Sequence, residues 1–354
     1  MTAPRFAAVV PAHNALPDVL DAVASALAQT LAPVEIVVVD DRSSDGTGDA
    51  VESRFGRGGA VRVVRGSFGG AAAARNAGWR AATAPWIAFL DADDLWFPQK
   101  LETAAAALAA VPAAGWFFSD GAFRDLDGAL HASWLSWYAD LPDLYAGRPV
   151  GPLLEVNFVL TSSVIARRDL LESLGGFDET MSHAEDVDLW IRLARRAPAA
   201  AARRALVRYQ HRPGGLTRQV QARLDGDVAL FRRLAADPGL EPPLRARARE
   251  REALAHYKLA FAGLRSGDHA GARGHLRAAW TGPRAGAVAG AWLASWLPPS
   301  WLTQLRGQSW AKRGIVGPSL KQRRVRLELE PELLAAGVTV AADPALGAPA
   351  GGTT

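Results

Sequence analysis

Two aspartates separated by a single residue follow a hydrophobic segment in the first third of the chain. Asp91 and Asp93 come directly after residues 86–90, Trp-Ile-Ala-Phe-Leu. On extended backbone a spacing of two points both side chains to one face. Carboxylates that share a face repel each other unless a cation lies between them, and hard oxygen ligands suit Mg²⁺ or Mn²⁺, which also bind substrate phosphates. The pair therefore predicts a metal–phosphate site. The alternative is an acidic turn that caps the helix expected near Pro98.

Asp40 and Asp41 end a second apolar segment. A carboxylate at this point can accept a hydrogen bond from a ribose hydroxyl or from the imide N–H of uracil, although it could equally cap the next helix. Dinucleotide-binding domains place an acid at the same position. Residues 11–14, however, contain no G-x-G-x-x-G, and the chain contains no G-x-x-x-x-G-K-[ST]. We therefore expect a nucleotide site that binds its phosphates in neither of those two ways.

Three further positions carry candidate chemistry. Glu185 and Asp186 begin an amphipathic helix, so one of them could deprotonate an acceptor hydroxyl, although carboxylates at a helix N-terminus can also serve only as caps. Arg75 could reach a nucleotide, brace the aspartates or form a surface ion pair. His211, which follows the strand-like residues 205–208, could be a third metal ligand, a phosphate donor or a structural histidine.

The elements that must position these residues alternate between strands and helices. Strands are predicted at 7–10, 35–39, 61–64 and 86–90, and helices at 16–31, from about 47 to 55, and at 71–82. Such alternation predicts an open parallel sheet with helices on both faces. Ligands of these sheets lie outside the carboxyl ends of the strands. Since Asp40, Asp41, Asp91 and Asp93 all follow strand ends, we expect them to meet at one edge.

The pattern continues less regularly beyond the fourth strand. The sequence predicts helices at 100–110, 169–174 and 186–196, strands at 115–118, 159–165 and 205–208, and a loop-rich insertion at 125–157. Helices rich in Ala, Arg and Leu follow from about residue 219, and residues 253–280 resemble a single tetratricopeptide-type hairpin. We expect a catalytic domain at 1–218, with nucleotide binding at about 6–115 and the acceptor and base part at about 116–218. A helical region at 219–334 and a disordered tail at 335–354 complete the prediction.

Composition narrows the classes of function. The 354 residues carry a net charge of +4, but residues 1–200 hold 16 Lys and Arg against 25 Asp and Glu, whereas the remainder holds 24 against 11. A basic second half indicates an anionic surface as a partner or else a compositional bias. The chain has no cysteine, which excludes disulfides, thiolate catalysis and Cys-ligated zinc. Because no charged-then-apolar leader precedes the first strand, we expect a cytoplasmic location, either in solution or at the inner face of a membrane.

Six motifs in a fixed order together resemble glycosyltransferase family 2, whose members are inverting enzymes with the GT-A fold. The resemblance spans about residues 6–217. The motifs are Val10-Pro11-Ala12-His13-Asn14, Val38 to Thr47, Ala74-Arg75-Asn76-Ala77-Gly78, Leu90-Asp91-Ala92-Asp93-Asp94, Gly175-Gly176-Phe177-Asp178-Glu179 and Glu185-Asp186-Val187-Asp188-Leu189-Trp190. One departure is Arg42, which stands where the family usually has glycine. Because glycine tolerates a positive φ better than arginine does, that turn is expected to differ.

The resemblance implies a Rossmann-like, mostly parallel sheet flanked by helices, and a D-x-D motif that binds Mn²⁺ or Mg²⁺. It implies Asp93, Asp91 and His211 at the metal and Asp186 as the base, with Glu185 as the other candidate. The nucleotide sugar, with a UDP-sugar favoured, would contact the following residues: Pro11, Ala12, Asn14, Asp40, Asp41, Arg75, Asp91 and Ala92. The acceptor would be a saccharide or a lipid-linked sugar, as in polysaccharide biosynthesis.

Alternative interpretations remain at this point. A sugar-nucleotide nucleotidyltransferase would need a Gly-rich, basic phosphate loop after the first strand, and a non-catalytic nucleotide-sugar-binding scaffold would not need the carboxylates. No nucleic-acid partner is expected, because the C-terminal arginines form no recognisable binding motif. The C-terminal tryptophans could contact a membrane surface peripherally or pack within a helical domain. Basic residues accompany these tryptophans. Together the tryptophan and basic set consists of Trp280, Trp292, Trp296, Trp301, Trp310, Arg306, Lys312 and Arg313.

Overall fold

The computed structural model describes residues 4–124, 130–138, 147–210, 219–280 and 285–296. Nine strands of these residues form one mixed sheet, in the spatial order β3-β2-β1-β4-β8-β6-β9-β5 with β7 beside β6. The strands are β1 (Phe6–Ala12), β2 (Glu35–Asp41), β3 (Val61–Gly66), β4 (Trp86–Phe89), β5 (Leu95–Trp96), β6 (Trp116–Arg124), β7 (Leu130–His131), β8 (Ile165–Arg167) and β9 (Ala199–Gln210).

The first four strands are parallel, as the sequence predicts. β1 pairs with β2 and β4, and β2 pairs with β3, all in parallel register. Their central residues, such as Val9, Val38 and Ile87, are completely buried, because helices cover both faces of this part of the sheet. The register places Ala12 opposite Asp40 at the carboxyl end of the strands. The polar residues that follow β1, β2 and β4 therefore share one edge.

Eleven helices are described. They are α1 (Asp18–Leu27), α2 (Thr47–Phe55), α3 (Ala71–Ala81), α4 (Lys100–Ala110), α5 (Val150–Glu155), α6 (Arg168–Leu174), α7 (Glu185–Arg196), α8 (Val220–Ala236), α9 (Pro242–Ser266), α10 (His269–Ala279) and α11 (Ala285–Ala294). Helices α1, α2 and α4 bury their apolar residues against one face of the sheet, and α3, α5, α6 and α7 bury theirs against the other. The helices predicted in the first 200 residues are confirmed, with shorter ends for α1.

The close approach of α3 to the sheet depends on Gly78. A Cβ built at this residue would lie 2.3 Å from Cγ1 of Val9 and 3.0 Å from Cγ2 of Val39, so any side chain would push the helix away from β1 and β2. A residue without a Cβ therefore sets the depth at which α3 packs. Arg75 and Asn76 lie on the same helix, one turn or less before this contact, and their position follows from it.

The second half of the sheet differs from the prediction. β8 is antiparallel to both β4 and β6, and it covers only Ile165–Arg167. The strand predicted at 159–165 is wrong for most of its length, because Thr161–Ser163 form a 3₁₀ turn. Ser162 and Ser163 are completely buried in that turn. The apolar residues on either side give the segment the pattern of a strand. The turn between them instead forms the hydrogen bonds described below.

The helices after residue 219 pack against the part of the chain that holds the sheet through apolar contacts and through ion pairs. Arg233 of α8 donates to Asp178 at 2.8 Å and also to Asp188, and Arg195 of α7 donates to Asp237 at 2.6 Å. Helices α9 and α10 form the predicted hairpin, with Gly267 at φ 91 in the turn between them. The domain boundary at 218 falls in 211–218, and the tail at 335–354 falls in 297–354. Both ranges lie outside the described residues, so these two boundaries stay predictions.

Candidate active site

The loop that carries the two spaced aspartates is fixed from below by Ser162. The Asp91 backbone N–H donates to Ser162 Oγ at 3.0 Å, and that hydroxyl donates in turn to Asp94 Oδ2 at 2.5 Å. The Ser162 carbonyl accepts from Trp96 Nε1 at 2.8 Å, and Asp94 Oδ1 accepts from the Gln210 backbone N–H at 3.1 Å. One hydroxyl thus binds both ends of the Asp91–Asp94 loop.

A buried lysine supports the same turn. Lys100 is completely buried, and its Nζ donates to the Ser163 carbonyl at 3.0 Å. The rings of Trp96 and Phe117 have their centroids 4.9 and 5.6 Å from this nitrogen. Burial lowers the pKa of Lys100 to about 7. A side chain that is almost always exposed elsewhere is therefore held under the aspartate loop.

The paired aspartates have the electrostatics of a cation site. Burial and the neighbouring Asp91 charge raise the pKa of Asp93 to about 6. A divalent ion between the two carboxylates would remove this repulsion, and oxygen ligands of this kind fit Mg²⁺ or Mn²⁺. Within the ranges that the structure describes, no three His, Asp or Glu residues are grouped so as to hold a metal by themselves. His211, the third ligand expected from the resemblance, lies outside those ranges.

Arg75 connects this pair to the start of α7. Its Nη2 donates to Asp91 Oδ1 at 2.8 Å and its Nη1 donates to Glu185 Oε1 at 3.1 Å, while the guanidinium carbon lies 5.4 Å from the Phe177 ring centroid. Burial lowers the pKa of Arg75, but the charges of Asp91 and Glu185 outweigh burial and the pKa is raised. Of the roles left open for Arg75, bracing the aspartates is the one that its contacts show.

Asn76 holds the neighbouring loop in place. Its Nδ2 donates to the Phe177 carbonyl at 2.8 Å and to Glu179 at 2.7 Å, and its Oδ1 accepts from the Phe177 N–H at 2.9 Å and from Trp79 Nε1 at 2.8 Å. All four hydrogen-bonding positions of this buried amide are therefore satisfied. The Gly-Gly-Phe-Asp-Glu motif is thereby fixed against α3, beside Arg75.

The two carboxylates at the start of α7 have different environments. Glu185 is paired with Arg75, whereas Asp186 Oδ2 accepts from the Asn157 amide at 2.8 Å and its Oδ1 accepts from the Val187 N–H at 2.7 Å. Burial, followed by the charge of Glu185, raises the pKa of Asp186 to about 6. The hydrogen bonds of Asp186 thus come from an amide and a backbone N–H, whereas Glu185 is bound by a guanidinium.

Asp41 organises the loop before α3. Its Oδ1 accepts from the Phe68 N–H at 2.8 Å, and its Oδ2 accepts from the N–H groups of Gly69 and Gly70 at 3.0 Å each. Burial raises the pKa of Asp41, but these hydrogen bonds and Arg42 lower it by more, so the pKa is lowered. This carboxylate is already occupied by backbone donors.

Asp40 lies beside a small cavity. Its Oδ1 accepts from the Ser43 N–H at 3.0 Å. The cavity of about 180 Å³ is smaller than the 300–1,000 Å³ typical of ligand pockets, so it could hold only part of a ligand. Charged residues, glycines and one serine line the cavity. They are Asp40, Arg42, Ser43, Gly46, Gly48, Asp49, Arg65 and Gly66.

The loops after β1 and β2 bind each other. Asn14 has φ 47, and its Oδ1 accepts from the Ser44 N–H at 2.7 Å, while its own N–H donates to Ser43 Oγ at 3.0 Å. Arg42 adopts φ 57, so the left-handed conformation that glycine would favour is retained despite the side chain. Pro11 and Ala12 end β1 at this junction, and Ala92 is buried within the aspartate loop.

Part of the chain matches a family of known proteins. Residues 7–171 match the family model described as glycosyl transferase family 2. The uncharacterised glycosyltransferase EpsJ of Bacillus subtilis is 36% identical over 91 residues, covering 26% of each chain. The UDP-Glc:alpha-D-GlcNAc-diphosphoundecaprenol beta-1,3-glucosyltransferase WfgD of Escherichia coli is 37% identical over 99 residues, covering 27% of this chain and 37% of WfgD. Residues 7–171 belong to glycosyl transferase family 2. The chain spans only 26% to 32% of the length of the first three curated relatives.

Solved structures establish the fold of this family 2 domain. Staphylococcus aureus TarS residues 1–349, solved in complex with UDP, superimposes with a TM-score of 0.59 at 17% identity and covers 86% of this chain and 92% of that one. The mannosyltransferase PcManGT of Pyrobaculum calidifontis, solved with GDP-Man and Mn²⁺, gives 0.54 at 24% identity and covers 87% and 85%. The predicted GT-A fold followed by a helical C-terminal region is confirmed.

Three residues of the family 2 site were not predicted from the sequence. Ser162 and Lys100 hold the aspartate loop from below, and Asn157 donates to Asp186. Ser162 and Asn157 lie in or next to segments without a periodic pattern, and Lys100 has the pattern of an ordinary helix start. The one signal in the sequence is the pair of serines, Ser162 and Ser163, between the apolar residues 158–160 and 164–166. Polar residues in the middle of an apolar segment could have drawn attention to the turn.

Proposed function

We propose that this chain is a metal-dependent, inverting glycosyltransferase that moves a sugar from a nucleoside-diphosphate donor, with a UDP-sugar favoured, to an acceptor hydroxyl. The observation that supports it most directly is the bridge of Arg75 between Asp91 and Glu185. This bridge holds the carboxylates suited to a metal–diphosphate beside those suited to a base. The two groups needed for displacement at a sugar carbon are thus kept together on opposite sides of one arginine.

On the donor side, Asp91 and Asp93 would hold Mn²⁺ or Mg²⁺. When bound, the ion offsets the negative charge that develops on the departing nucleoside diphosphate. Asp40 would accept a hydrogen bond from the nucleoside, because one of its oxygens is not engaged by Ser43 and the adjoining cavity can hold a ring. Asp41 would act indirectly by fixing the 68–70 loop. TarS with UDP-GlcNAc and PcManGT with GDP-Man and Mn²⁺ are the solved relatives that support a nucleotide sugar and a divalent ion.

On the acceptor side, Asp186 would be the base. Glu185 is already engaged in an ion pair with Arg75, whereas Asp186 is held by an amide and by a backbone N–H. Its pKa of about 6 leaves it ionised at neutral pH and still able to take a proton. A base on the side opposite the leaving group makes the displacement a single inverting step.

The donor half of this proposal is tested without knowing the acceptor. UDP-glucose, UDP-N-acetylglucosamine and GDP-mannose are incubated with Mn²⁺, and release of the nucleoside diphosphate is measured. Asp93→Ala should abolish metal-stimulated hydrolysis, whereas Asp169→Ala, a change at an exposed carboxylate, should keep it. Full hydrolysis by the Asp93 variant would remove the metal assignment, and no hydrolysis of any donor by the parent would favour a binding protein.

The base is tested on transfer. Asp186→Asn should preserve donor affinity, measured by titration calorimetry with UDP, and reduce transfer by about 10²- to 10⁴-fold. By contrast, Glu185→Gln should lower donor affinity, because it disturbs Arg75 and through it Asp91. Unimpaired transfer by Asp186→Asn would reassign the base to another group.

The acceptor is proposed to be a saccharide or lipid-linked sugar at the inner face of a membrane. No helix in the described residues is long and apolar enough to cross a bilayer. Peripheral contact would come from the exposed Trp280, Leu293 and Trp296, which are 50%, 71% and 64% exposed. The guanidinium of Arg273 lies 4.3 Å from the Trp296 ring and adds positive charge to this apolar surface.

The membrane contact is tested by flotation. The parent chain and a Leu293→Ser, Trp296→Ser double variant are mixed with vesicles containing phosphatidylglycerol or only phosphatidylcholine. The parent should float with the anionic vesicles and the variant should bind several-fold less. Equal flotation of both proteins would refute a membrane role for this surface.

Five members of the tryptophan and basic set, at 301, 306, 310, 312 and 313, lie outside the described residues.

A further inference from the structure

Asp120 is a buried carboxylate that the proposed mechanism does not use. It lies in β6, where the register with β9 shifts both before and after this residue. Such irregular pairing re-aims the groups of a strand and is common next to active sites. Only 3% of Asp120 is exposed, and burial raises its pKa to about 6. A buried carboxylate needs hydrogen-bond donors, and the donors of Asp120 show which part of the chain it holds in place.

The carboxylate of Asp120 fixes the turn that follows β7. Its Oδ1 accepts from the Gly121 N–H at 2.7 Å and from the Leu135 N–H at 2.9 Å, and its Oδ2 accepts from the Ser133 hydroxyl. The Gly121 carbonyl accepts from the Trp134 N–H at 2.7 Å. Asp120 and the residue after it therefore bind three consecutive residues of this turn, with Trp134 in the middle.

Trp134 in turn holds the segment between α5 and β8. Its Nε1 donates to the Phe158 carbonyl at 2.9 Å, and the Phe158 ring packs edge-on against Phe118 of β6 with the centroids 5.8 Å apart. Asn157 precedes Phe158, and its amide donates to Asp186 at 2.8 Å. The turn after β7 is thus connected to the proposed base through one indole and one amide.

The two ends of this segment are anchored differently. Near the aspartate loop, the turn of Ser162 and Ser163 has the hydrogen bonds described above. At the other end, the Asn157 amide donates to Asp186, and its Oδ1 is buried without a hydrogen-bond partner in the described part of the chain. The direction of the Asn157 side chain therefore depends on how the backbone is held at Phe158, and a disturbance there should reach the base rather than the aspartate pair.

We propose that Asp120 is a positioning residue that acts through the turn after β7 and keeps the Asn157 amide directed at Asp186. This inference rests on the proposed function, in which Asp186 deprotonates the acceptor. A hydrogen bond donated to a carboxylate favours its ionised form, so the Asn157 amide lowers the pKa of Asp186 against the effect of burial. Asp120 acts here through its hydrogen bonds and not through its charge.

The Asp186 carboxyl is followed by ¹³C NMR in aspartate-labelled protein, with its signal assigned from Asp186→Asn. Asp120→Ala removes both carboxylate oxygens and should raise the pKa of Asp186 by about 1, because the donor from Asn157 is lost. Asp120→Asn keeps one acceptor oxygen and can donate to the Ser133 hydroxyl, so it should leave that pKa near the value of the parent. Loss of the Asp120 charge alone would lower the pKa of Asp186 in both variants, so the sign separates the two causes.

Trp134→Phe keeps the Asp120 network and the aromatic ring but removes the Nε1 donor, so it should also raise the pKa of Asp186. In an Asn157→Ala background, Asp120→Ala should add nothing further, because the connection is already cut. Leu276→Ala, in the separate apolar cluster of α9, α10 and α11, is the control for general destabilisation and should leave the pKa unchanged. An unchanged or lowered pKa in Asp120→Ala or in Trp134→Phe, or an additive effect in the Asn157→Ala background, would overturn the proposal.

Transfer distinguishes this inference from the proposed function. With whichever donor the parent hydrolyses and octyl β-glucoside as the acceptor probe, Asp120→Ala should move the acid limb of kcat/KM from about pH 6 upward by about 1. Its affinity for UDP with Mn²⁺ should stay as in the parent, and weakened UDP binding would overturn the connection to Asp186. A shifted NMR signal without a shifted limb would instead remove Asp186 as the base and leave the positioning role intact, because the NMR titration requires no activity.

Discussion

Lys100 gives the most direct test of the polar network under the aspartate loop. Burial lowers its pKa from the ordinary 10.5 to about 7. Each pKa unit corresponds to about 1.4 kcal/mol, so the protonated lysine destabilises the folded chain by about 5 kcal/mol relative to its neutral form. The perturbation we consider is Lys100→Met, which keeps most of the apolar stem and removes both the charge and the hydrogen bond to Ser163.

The sign follows from proton linkage. Between pH 7 and 10.5 the unfolded chain binds a proton at Lys100 that the folded chain does not, so this group makes the protein more stable as pH rises. Its slope is close to 1.4 kcal/mol per pH unit within that window and vanishes below about pH 7, where both states are protonated. From pH 7 to pH 9 the contribution amounts to about 2–3 kcal/mol.

The assay is urea unfolding of the parent and Lys100→Met at pH 7, 8 and 9, with the slope m compared to confirm that the same surface unfolds. The difference in the free energy of unfolding between variant and parent should fall by about 1.4 kcal/mol per pH unit, whatever its absolute size. Lys100→Met should also weaken the proposed metal-dependent turnover, since the Ser163 carbonyl would lose its donor. Parallel pH profiles for the two proteins would show that Lys100 is hydrated or otherwise compensated, and would refute the reasoning.

Three other predictions test separate parts of the site. The pH profile of kcat/KM for transfer should fall below about pH 6, because protonation of Asp186 removes the base, and a profile without this limb would reject the assignment. Asn76→Ala should lower the free energy of unfolding by about 3 kcal/mol or more, measured in urea, because it leaves buried groups of Phe177 and Trp79 unpaired; a loss under 1 kcal/mol would contradict the hydrogen-bond geometry. Arg42→Gly should raise that free energy by about 1 kcal/mol, because glycine adopts φ 57 without strain and the exposed contact with Asp41 is worth little; a destabilised variant would show that the side chain contributes more than the backbone costs.

The parallel half of the fold could be predicted because each element there carries its own signal. The strands of residues 7–10, 35–39, 61–64 and 86–90 are apolar and mostly β-branched or aromatic, and turn-forming residues separate them from periodic helices. The antiparallel half could not be predicted to the same extent. β5 and β7 have two residues each, and β8 has three, so their pairing depends on distant strands rather than on local pattern.

The candidate site likewise has residues that the sequence could predict and residues that it could not. Asp91, Asp93, Glu185 and Asp186 could be proposed from the sequence because they follow a predicted strand or begin a predicted helix, and the structure brings Asp91 and Glu185 together through Arg75. The Arg42 turn was expected to differ from a glycine turn, yet Arg42 takes the left-handed conformation because its neighbours Asp41 and Ser43 are fixed by hydrogen bonds to other loops. Residues that act through contacts, such as Ser162 and Asn157, could not be found, because a serine or asparagine in a loop has many ordinary roles.

The placement of Asp186 beside α8 brings the helical region to the edge of the candidate site. A carboxylate whose pKa is raised by burial needs a wall that excludes water, and α8 supplies it through the contact of Gly226 with His183. Without α8, Asp186 would be more hydrated and its pKa would return toward that of a free aspartate, which would make it a weaker base.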